Sequence, residues 1–304
     1  MTIRKHEEGG VEVFEAKIDG EVITWDSGLT YARHLQTEQL LSCQLPVSDK
    51  PDEMLFIIMH QSMELWMKLQ LHEAGQLIKH LREDQISRAC KTLHRMDAVL
   101  RHMTNSWEVL ATLTPHDFIT FRGHLGRASG FQSHQFRELE FRFGLKRADM
   151  MLVHQGNRVA EAALGAALKE PSVYEELLML LARRGYAIPE DVLVRKFDEE
   201  YVPNDAVEDV WLEIYSDPDA HRDEFRLAER FTALEYYFQE WRFKHMKTIA
   251  RIIGHRPGTG GSSGVDYLVK SLGLTFFPEL WSMRARMTAD QSDAAYGVSQ
   301  APVQ

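Results

Sequence analysis

Cysteine is nearly missing from this chain: 304 residues carry only Cys43 and Cys90, far apart. That excludes a disulfide framework, a zinc ribbon and a Cys-x-x-Cys-His haem attachment, and it suits a reducing cytoplasm. No apolar run reaches the roughly 18 residues of a membrane-spanning helix. The first residues, Met1–Glu8, lack the apolar segment of a secretory signal, so a cytoplasmic protein is expected. A basic excess is also absent. With 35 Lys and Arg against 45 Asp and Glu, the net charge of −10 argues against a general nucleic-acid binder. Common nucleotide loops are missing too. The run Gly258–Gly264 is not followed by Gly-Lys-Ser/Thr, and Ser263 stands where a dinucleotide fingerprint needs its third glycine. Neither His60-x-x-x-Glu64 nor His72-Glu73 extends to the His-Glu-x-x-His zinc pattern. Nothing reads as a Ser-His-Asp or Cys-His nucleophile system.

What is present is helical periodicity. Composition is that of a soluble globular chain, 44% hydrophobic and 26% charged. Residues 1–28 mix scattered Val and Ile with charges and glycines. They are expected to be a weakly structured arm, either a short strand pair or an extended segment. A helical pattern runs from Leu29 to just before Pro46. A long helix opens at Pro51-Asp52-Glu53 and carries Phe56, His60, Met63 and Met67 on one stripe, at i, i+4, i+7 and i+11. Further helices are expected over 84–112, around Phe118–Arg122, and over 133–144, 149–168, 171–184, 205–215, 223–253 and 265–273. The expected organisation is nearly all-α: an arm over 1–28, one helical domain over 29–287 and a disordered tail over 288–304.

Three features suggest chemistry. His245 sits in the apolar stripe Phe238, Trp241, His245, Thr248 and Ile252. Such a histidine serves either as a hydrogen-bonded core residue or as the neutral axial ligand of a haem iron. The helix stops at Gly254, and Gly258–Gly264 follows with four glycines and three hydroxyls. That loop is either a flexible connector or a cradle of amides and hydroxyls for a carboxylate or phosphate. Arg122 follows Phe118 and Phe121. It is either a surface residue with a buried stem or a bidentate grip on a carboxylate. Phe56 and His60 lie side by side on one helix face, an aromatic plate beside an imidazole.

Longer motifs bring these residues together. They are Asp52-Glu-Met-Leu-Phe-Ile-Ile-Met-His60-Gln, Glu64-Leu-Trp66, Ser129-Gly-Phe-Gln-Ser133, Trp241-Arg-Phe-Lys-His245-Met, the loop Gly258–Gly264, and Leu274-Thr-Phe-Phe-Pro-Glu-Leu280. Over residues 29–285 the chain resembles the tryptophan 2,3-dioxygenase family, helical haem enzymes that open the indole ring with dioxygen. The resemblance implies a helical bundle-like haem dioxygenase fold with long central helices. Its subunits would be intertwined through N-terminal segments as a homotetramer. It implies haem b with ferrous iron, dioxygen as co-substrate, and L-tryptophan cleaved at C2–C3 to N-formylkynurenine.

The resemblance implies His245 as proximal iron ligand and His60 as the catalytic histidine near the indole N–H. Phe56 and Phe118 would wall the indole pocket. Arg122 would clamp the substrate carboxylate, Thr259 would touch its head group, and Gly130 would lie at the substrate. Tyr31 and His34 belong to the segment that reaches a neighbouring subunit's pocket. Three positions depart from the family pattern. His34 replaces a pocket tyrosine, Arg127 a proline, and Met59 a polar residue. These departures raise one alternative, a relative acting on a modified tryptophan, such as a β-methyl derivative, to form a 2-oxindole; a second, separate alternative is a non-catalytic haem sensor on the same scaffold.

Overall fold

The computed structural model describes residues 3–288. The chain divides into two compact units, Met1–Asp49 and Lys50–Gln304. The division falls at Asp49/Lys50, in the Pro-flanked stretch before the first long helix.

Of the two forms expected for residues 1–28, the first unit holds paired strands, three in number. Strands β1 (Ile3–Glu8), β2 (Val11–Ile18) and β3 (Glu21–Asp26) form an antiparallel meander in the order β1-β2-β3. The register pairs Glu8 with Val11 and Ile18 with Glu21, so both loops hold two residues. Gly9 and Gly10 have φ of 59° and 80°, and Asp19 and Gly20 have 52° and 88°. Positive φ at both central residues is the tight hairpin turn whose twist matches that of the strands. Gly9-Gly10 and Asp19-Gly20 are the residue pairs such turns favour.

Two short helices follow, α1 (Tyr31–Leu35) and α2 (Thr37–Leu40), where one longer helix was expected. Gln36 divides them with φ 52°, its side chain donating to the Arg33 carbonyl at 2.5 Å. No residue of either helix is buried.

The second unit is built on three long helices: α3 (Asp52–Arg82), α4 (Ile86–Leu110) and α11 (Arg222–Ile253). At 1.5 Å per residue, α3 and α11 are each about 45 Å long. Their inner stripes supply the core. Met59, Met63, Met67, Leu77 and Leu81 of α3 meet Leu93, Met96, Leu100, Met103 and Trp107 of α4 and Leu227, Phe231, Leu234, Phe238 and Trp241 of α11. Burying each such side chain contributes about 1.5–3 kcal/mol. Met59, one of the three departures from the family pattern, lies in this core at 4% exposure.

Between and around these run α5 (Pro115–Arg122), α6 (His134–Phe143), α7 (Arg158–Lys169), α8 (Val173–Arg183), α9 (Glu190–Leu193), α10 (Asp205–Ser216), α12 (Val265–Ser271) and α13 (Pro278–Ser282). Capping sets several starts. Thr114 and Asp117 form a capping box with Pro115 in the first turn of α5, and Ser172 with Glu175 does the same for α8. The helix expected over 149–168 is split. A 3-10 stretch over Ala148–His154 ends before Gly156, whose φ is 88°, and Asn157 then caps α7.

Two buried glutamates pin the C-terminal motif. Glu235 of α11 accepts from the backbone N–H groups of Phe276 and Phe277 and from Trp281 Nε1, at 2.6, 3.1 and 2.8 Å. Glu279 accepts from Tyr174, Tyr201 and the Asn204 N–H at 2.8, 2.6 and 2.9 Å. Satisfying every buried carboxylate oxygen in this way is what makes such burial tolerable. Of the expected tail over 288–304, only Thr288 lies within the described residues.

Candidate active site

His60 projects from α3, four residues after Phe56. Its Nδ1 lies 2.7 Å from the Phe56 carbonyl oxygen, which can only accept. The proton therefore sits on Nδ1, and Nε2 presents a lone pair. Burial pushes the imidazole below its ordinary range, against weaker raising effects of the Phe56 bond and Glu64. His60 is thus a neutral acceptor at neutral pH. The Phe56 ring lies 4.1 Å from the His60 ring and 5.9 and 5.7 Å from those of Phe118 and Phe121. Helix α5 contributes the last two rings, so α3 and α5 together make an aromatic wall beside the imidazole.

His245 projects from α11, where its environment is apolar. Trp107 of α4 stacks on it at 4.5 Å and 14°, and Trp241 lies at 5.3 Å. Desolvation, with a smaller lowering effect from His60, pushes its pKa down to about 3. Among the described residues neither ring nitrogen of His245 makes a hydrogen bond, so a lone pair is available to a metal. Trp107 Nε1 and Trp241 Nε1 are buried donors without acceptors. Trp107 was missed at the sequence level, because on α4 it is one more apolar residue in a regular stripe.

Arg122 lies at the end of α5, its guanidinium 5.9 Å from the Phe118 ring. Nη2 donates to the Pro257 carbonyl at 2.5 Å. This bond ties α5 to the residue before the glycine loop. Within the loop, the Gly258 N–H donates to Ser262 O and the Gly261 N–H to Gly258 O, both at 3.0 Å. Gly264, at φ 67°, approaches the Arg256 carbonyl so closely that an added Cβ would sit 2.5 Å from that oxygen. The loop is therefore a folded element.

Thr259 donates its hydroxyl to the Ala128 carbonyl at 2.6 Å. A Cβ on Gly260 would meet the Ser129 Cβ at 2.9 Å. These contacts bring the segment containing Gly130 against the glycine loop. They also refine the idea of an anion cradle. With its proton engaged, Thr259 Oγ1 offers lone pairs, which suit an ammonium group.

Positions expected at the site fall into two groups. Phe56, His60, Phe118, Arg122, Gly130, His245 and Thr259 all lie in the second unit. Tyr31 and His34 lie on α1 of the first unit, both exposed, Tyr31 at 78%. Arg127 is exposed on the turn before Ser129.

Two further motifs have structural explanations. Gln135 of α6 donates to the Glu64 carboxylate at 2.6 Å and to its carbonyl at 3.0 Å, and Trp66 meets His102 edge-on at 4.9 Å. Arg242, three residues before His245, donates to Glu140 of α6 at 2.9 Å and to the Leu274 carbonyl at 2.9 Å, between the Phe238 and Phe276 rings. Among the described residues no cluster of three or more His, Cys, Asp or Glu could hold a bare metal ion. The donor set around His245 is a single neutral imidazole, as a haem requires.

A sequence model of the tryptophan 2,3-dioxygenase family matches residues 18–287. A tryptophan 2,3-dioxygenase of Erythrobacter litoralis is 47% identical over 256 residues, 84% of this chain and 97% of the relative. That of Caulobacter vibrioides is 45% identical over 259 residues, covering 85% and 98%. That of Bacillus thuringiensis subsp. konkukian is 44% identical over 259 residues, covering 85% and 93%. With that coverage and identity, the chain belongs to the tryptophan 2,3-dioxygenase family.

Proposed function

We propose that this protein is a haem-dependent oxygenase that cleaves the indole C2–C3 bond of L-tryptophan with dioxygen, giving N-formylkynurenine. Tryptophan plus one dioxygen accounts for every atom of the product, so turnover needs no added reductant. The observation that carries the reading is the pairing of a neutral, unbonded His245 with His60 and its aromatic wall, under a head-group site made by Arg122 and Thr259.

His245 would hold the haem iron. Its burial keeps the imidazole neutral, and its ring nitrogens are free. The unanswered Trp107 and Trp241 donors fit a group bearing acceptors. Bound haem supplies the dioxygen chemistry. The chain's own residues bind and orient the substrate. Phe56 and Phe118 flank the indole and exclude water. His60 Nε2 accepts the indole N–H and orients it without removing the proton. Arg122 takes the carboxylate through charge-assisted bonds, and Thr259 Oγ1 accepts from the ammonium. Fixing both ends of the amino acid converts an encounter into a preset geometry.

The exposed apolar side chains of the first unit, including Leu29, Tyr31, Leu41 and Leu45 at 74–78%, support burial against other copies in a homotetramer. Scarce cysteine supports a cytoplasmic location. No helix among the described residues is long and apolar enough to cross a membrane. The relatives favour neither the oxindole-forming nor the sensor alternative.

The test is aerobic turnover of the haem-loaded, reduced protein with L-tryptophan, read by mass. A product heavier by two oxygen atoms, both labelled from ¹⁸O₂, is expected. A single added oxygen, or a haem spectrum indifferent to tryptophan, would overturn the reading.

A further inference from the structure

Strand β1 is an edge of the three-stranded sheet: β2 lies on one side of it, and nothing in the sheet lies on the other. All six residues, Ile3-Arg4-Lys5-His6-Glu7-Glu8, are exposed. Half of its backbone N–H and C=O groups therefore face outward, ready to pair with another strand. The strand also precedes residue 18, where the family match begins.

We infer that this edge takes β1 of a second copy of the chain as an antiparallel neighbour, across a two-fold axis at His6. The argument rests on the order of charges. A two-fold axis normal to a sheet sets one residue opposite its own copy, so only registers centred on a residue are available. Centred on His6, Arg4 faces Glu8 of the second copy and Lys5 faces Glu7. Symmetry doubles each pair, giving four opposite-charge contacts, and opposite charges directly across a sheet attract. Centring one residue earlier sets Lys5 against Lys5, and one residue later sets Glu7 against Glu7. Parallel in-register pairing sets every charge against its like. One register alone is favoured.

The other edge behaves differently. The only charges of β3 are Glu21 and Asp26, so no self-pairing there brings opposite charges together. Within one copy, Lys5 already meets Glu12 of β2 at 2.6 Å, with both side chains about half exposed. Pairing would set Glu7 of the second copy on its other side.

The faces of the sheet agree with this register. Ile3, Ala16 and Ile23 are cross-strand neighbours, as are Phe14 and Trp25, and all lie on one face. The Phe14 and Trp25 rings stack at 5.7 Å, and Ala16 is 5% exposed. Pairing centred on His6 sets odd residues opposite odd residues. The faces bearing Phe14 and Trp25 then lie on the same side, as in any register centred on a residue, with the Lys5–Glu7 pairs between them.

This inference does not depend on the oxygenase reading, and its test needs no turnover. In the full-length chain with Cys43→Ser and Cys90→Ser, His6→Cys is treated with a mild oxidant. Directly opposed Cα atoms in an antiparallel pair are about 4.5–5.5 Å apart, within disulfide range. His6→Cys is expected to link to itself. Arg4→Cys and Glu8→Cys are each expected to stay monomeric on denaturing gels alone and to link when mixed.

In the His6→Cys background, Arg4→Glu/Lys5→Glu should abolish linking. Mixing that variant with Glu7→Lys/Glu8→Lys should restore it, because every pair is then opposite again. His6→Cys linking no faster than Val22→Cys on β3 would overturn the inference. So would Arg4→Cys linking to itself as fast as to Glu8→Cys, or linking that ignores the charge reversal.

Discussion

Arg122 Nη2 donates to the Pro257 carbonyl at 2.5 Å, joining the end of α5 to the entrance of the glycine loop. The residue proposed to hold the substrate carboxylate thereby also holds the loop that carries Thr259. Substrate binding and loop position share one guanidinium.

Replacement of Arg122 by Ala should accordingly weaken tryptophan binding by roughly 30- to 150-fold, the loss of about 2–3 kcal/mol of charge-assisted bonding. Haem content should be unchanged. Tryptamine, which lacks the carboxylate, should bind wild type and variant within a few-fold of one another. Titrations of the reduced protein with both ligands check this, and equal losses for both would remove the carboxylate role.

His245→Ala should fail to retain haem, seen as loss of the Soret band after gel filtration, while keeping its helical circular dichroism. His60→Ala should keep haem and lose affinity for tryptophan more than for 1-methyltryptophan, which has no indole N–H to donate. A haem-loaded His245→Ala protein would displace the axial-ligand assignment.

Arg242 and Glu140 form a buried ion pair at 2.9 Å, with exposures of 2% and 4%. Arg137 of α6 is a second partner of Glu140. Removing one member of a buried pair leaves an uncompensated charge, at a cost of about 3–5 kcal/mol. Arg242→Met should cost less than this, because Glu140 keeps Arg137 as a partner, whereas Glu140→Gln strands two buried arginines and should carry the full cost, part of which Arg242→Met in the same chain should recover. Chemical denaturation of both single variants and the double variant measures the coupling. Simple additivity would show that the pair contributes nothing beyond its separate parts.

Asp97 of α4 is 2% exposed, and its Oδ1 lacks a partner. Arg230 lies 3.8 Å away. Burial pushes the carboxyl up to about 6, above the ordinary value of 3.8, despite Arg230 and Arg101. Between those two values the folded state binds more protons than the unfolded one, so this group's contribution to stability falls as pH rises through them. Asp97→Asn should therefore stabilise the protein by on the order of 2 kcal/mol above pH 6, a gain that vanishes near pH 4. Melting temperatures of both proteins across this range check the sign.

Much of the helical unit was legible in the sequence, because α3, α4 and α11 are long and amphipathic and their stripes repeat at 3.6 residues. Pro51, Pro115 and Gly254 marked ends for steric reasons that hold in any context. His245, His60 and Arg122 stood out as residue types, yet each retained two readings. A stripe shows which face is inward without showing what else arrives there.

The hairpins of residues 3–26 were also present in the sequence, as Gly-Gly and Asp-Gly, but charges among the Val and Ile obscured the alternation. Family membership was legible from the motifs alone. Only the tertiary structure decided that His245 stacks on Trp107, that His60 holds its proton on the Phe56 side, and that Thr259 directs its own proton to Ala128. These are contacts between segments tens to more than a hundred residues apart, or choices of tautomer and rotor. Such contacts depend on the three-dimensional packing of α3, α4, α5 and α11, which local propensity does not encode.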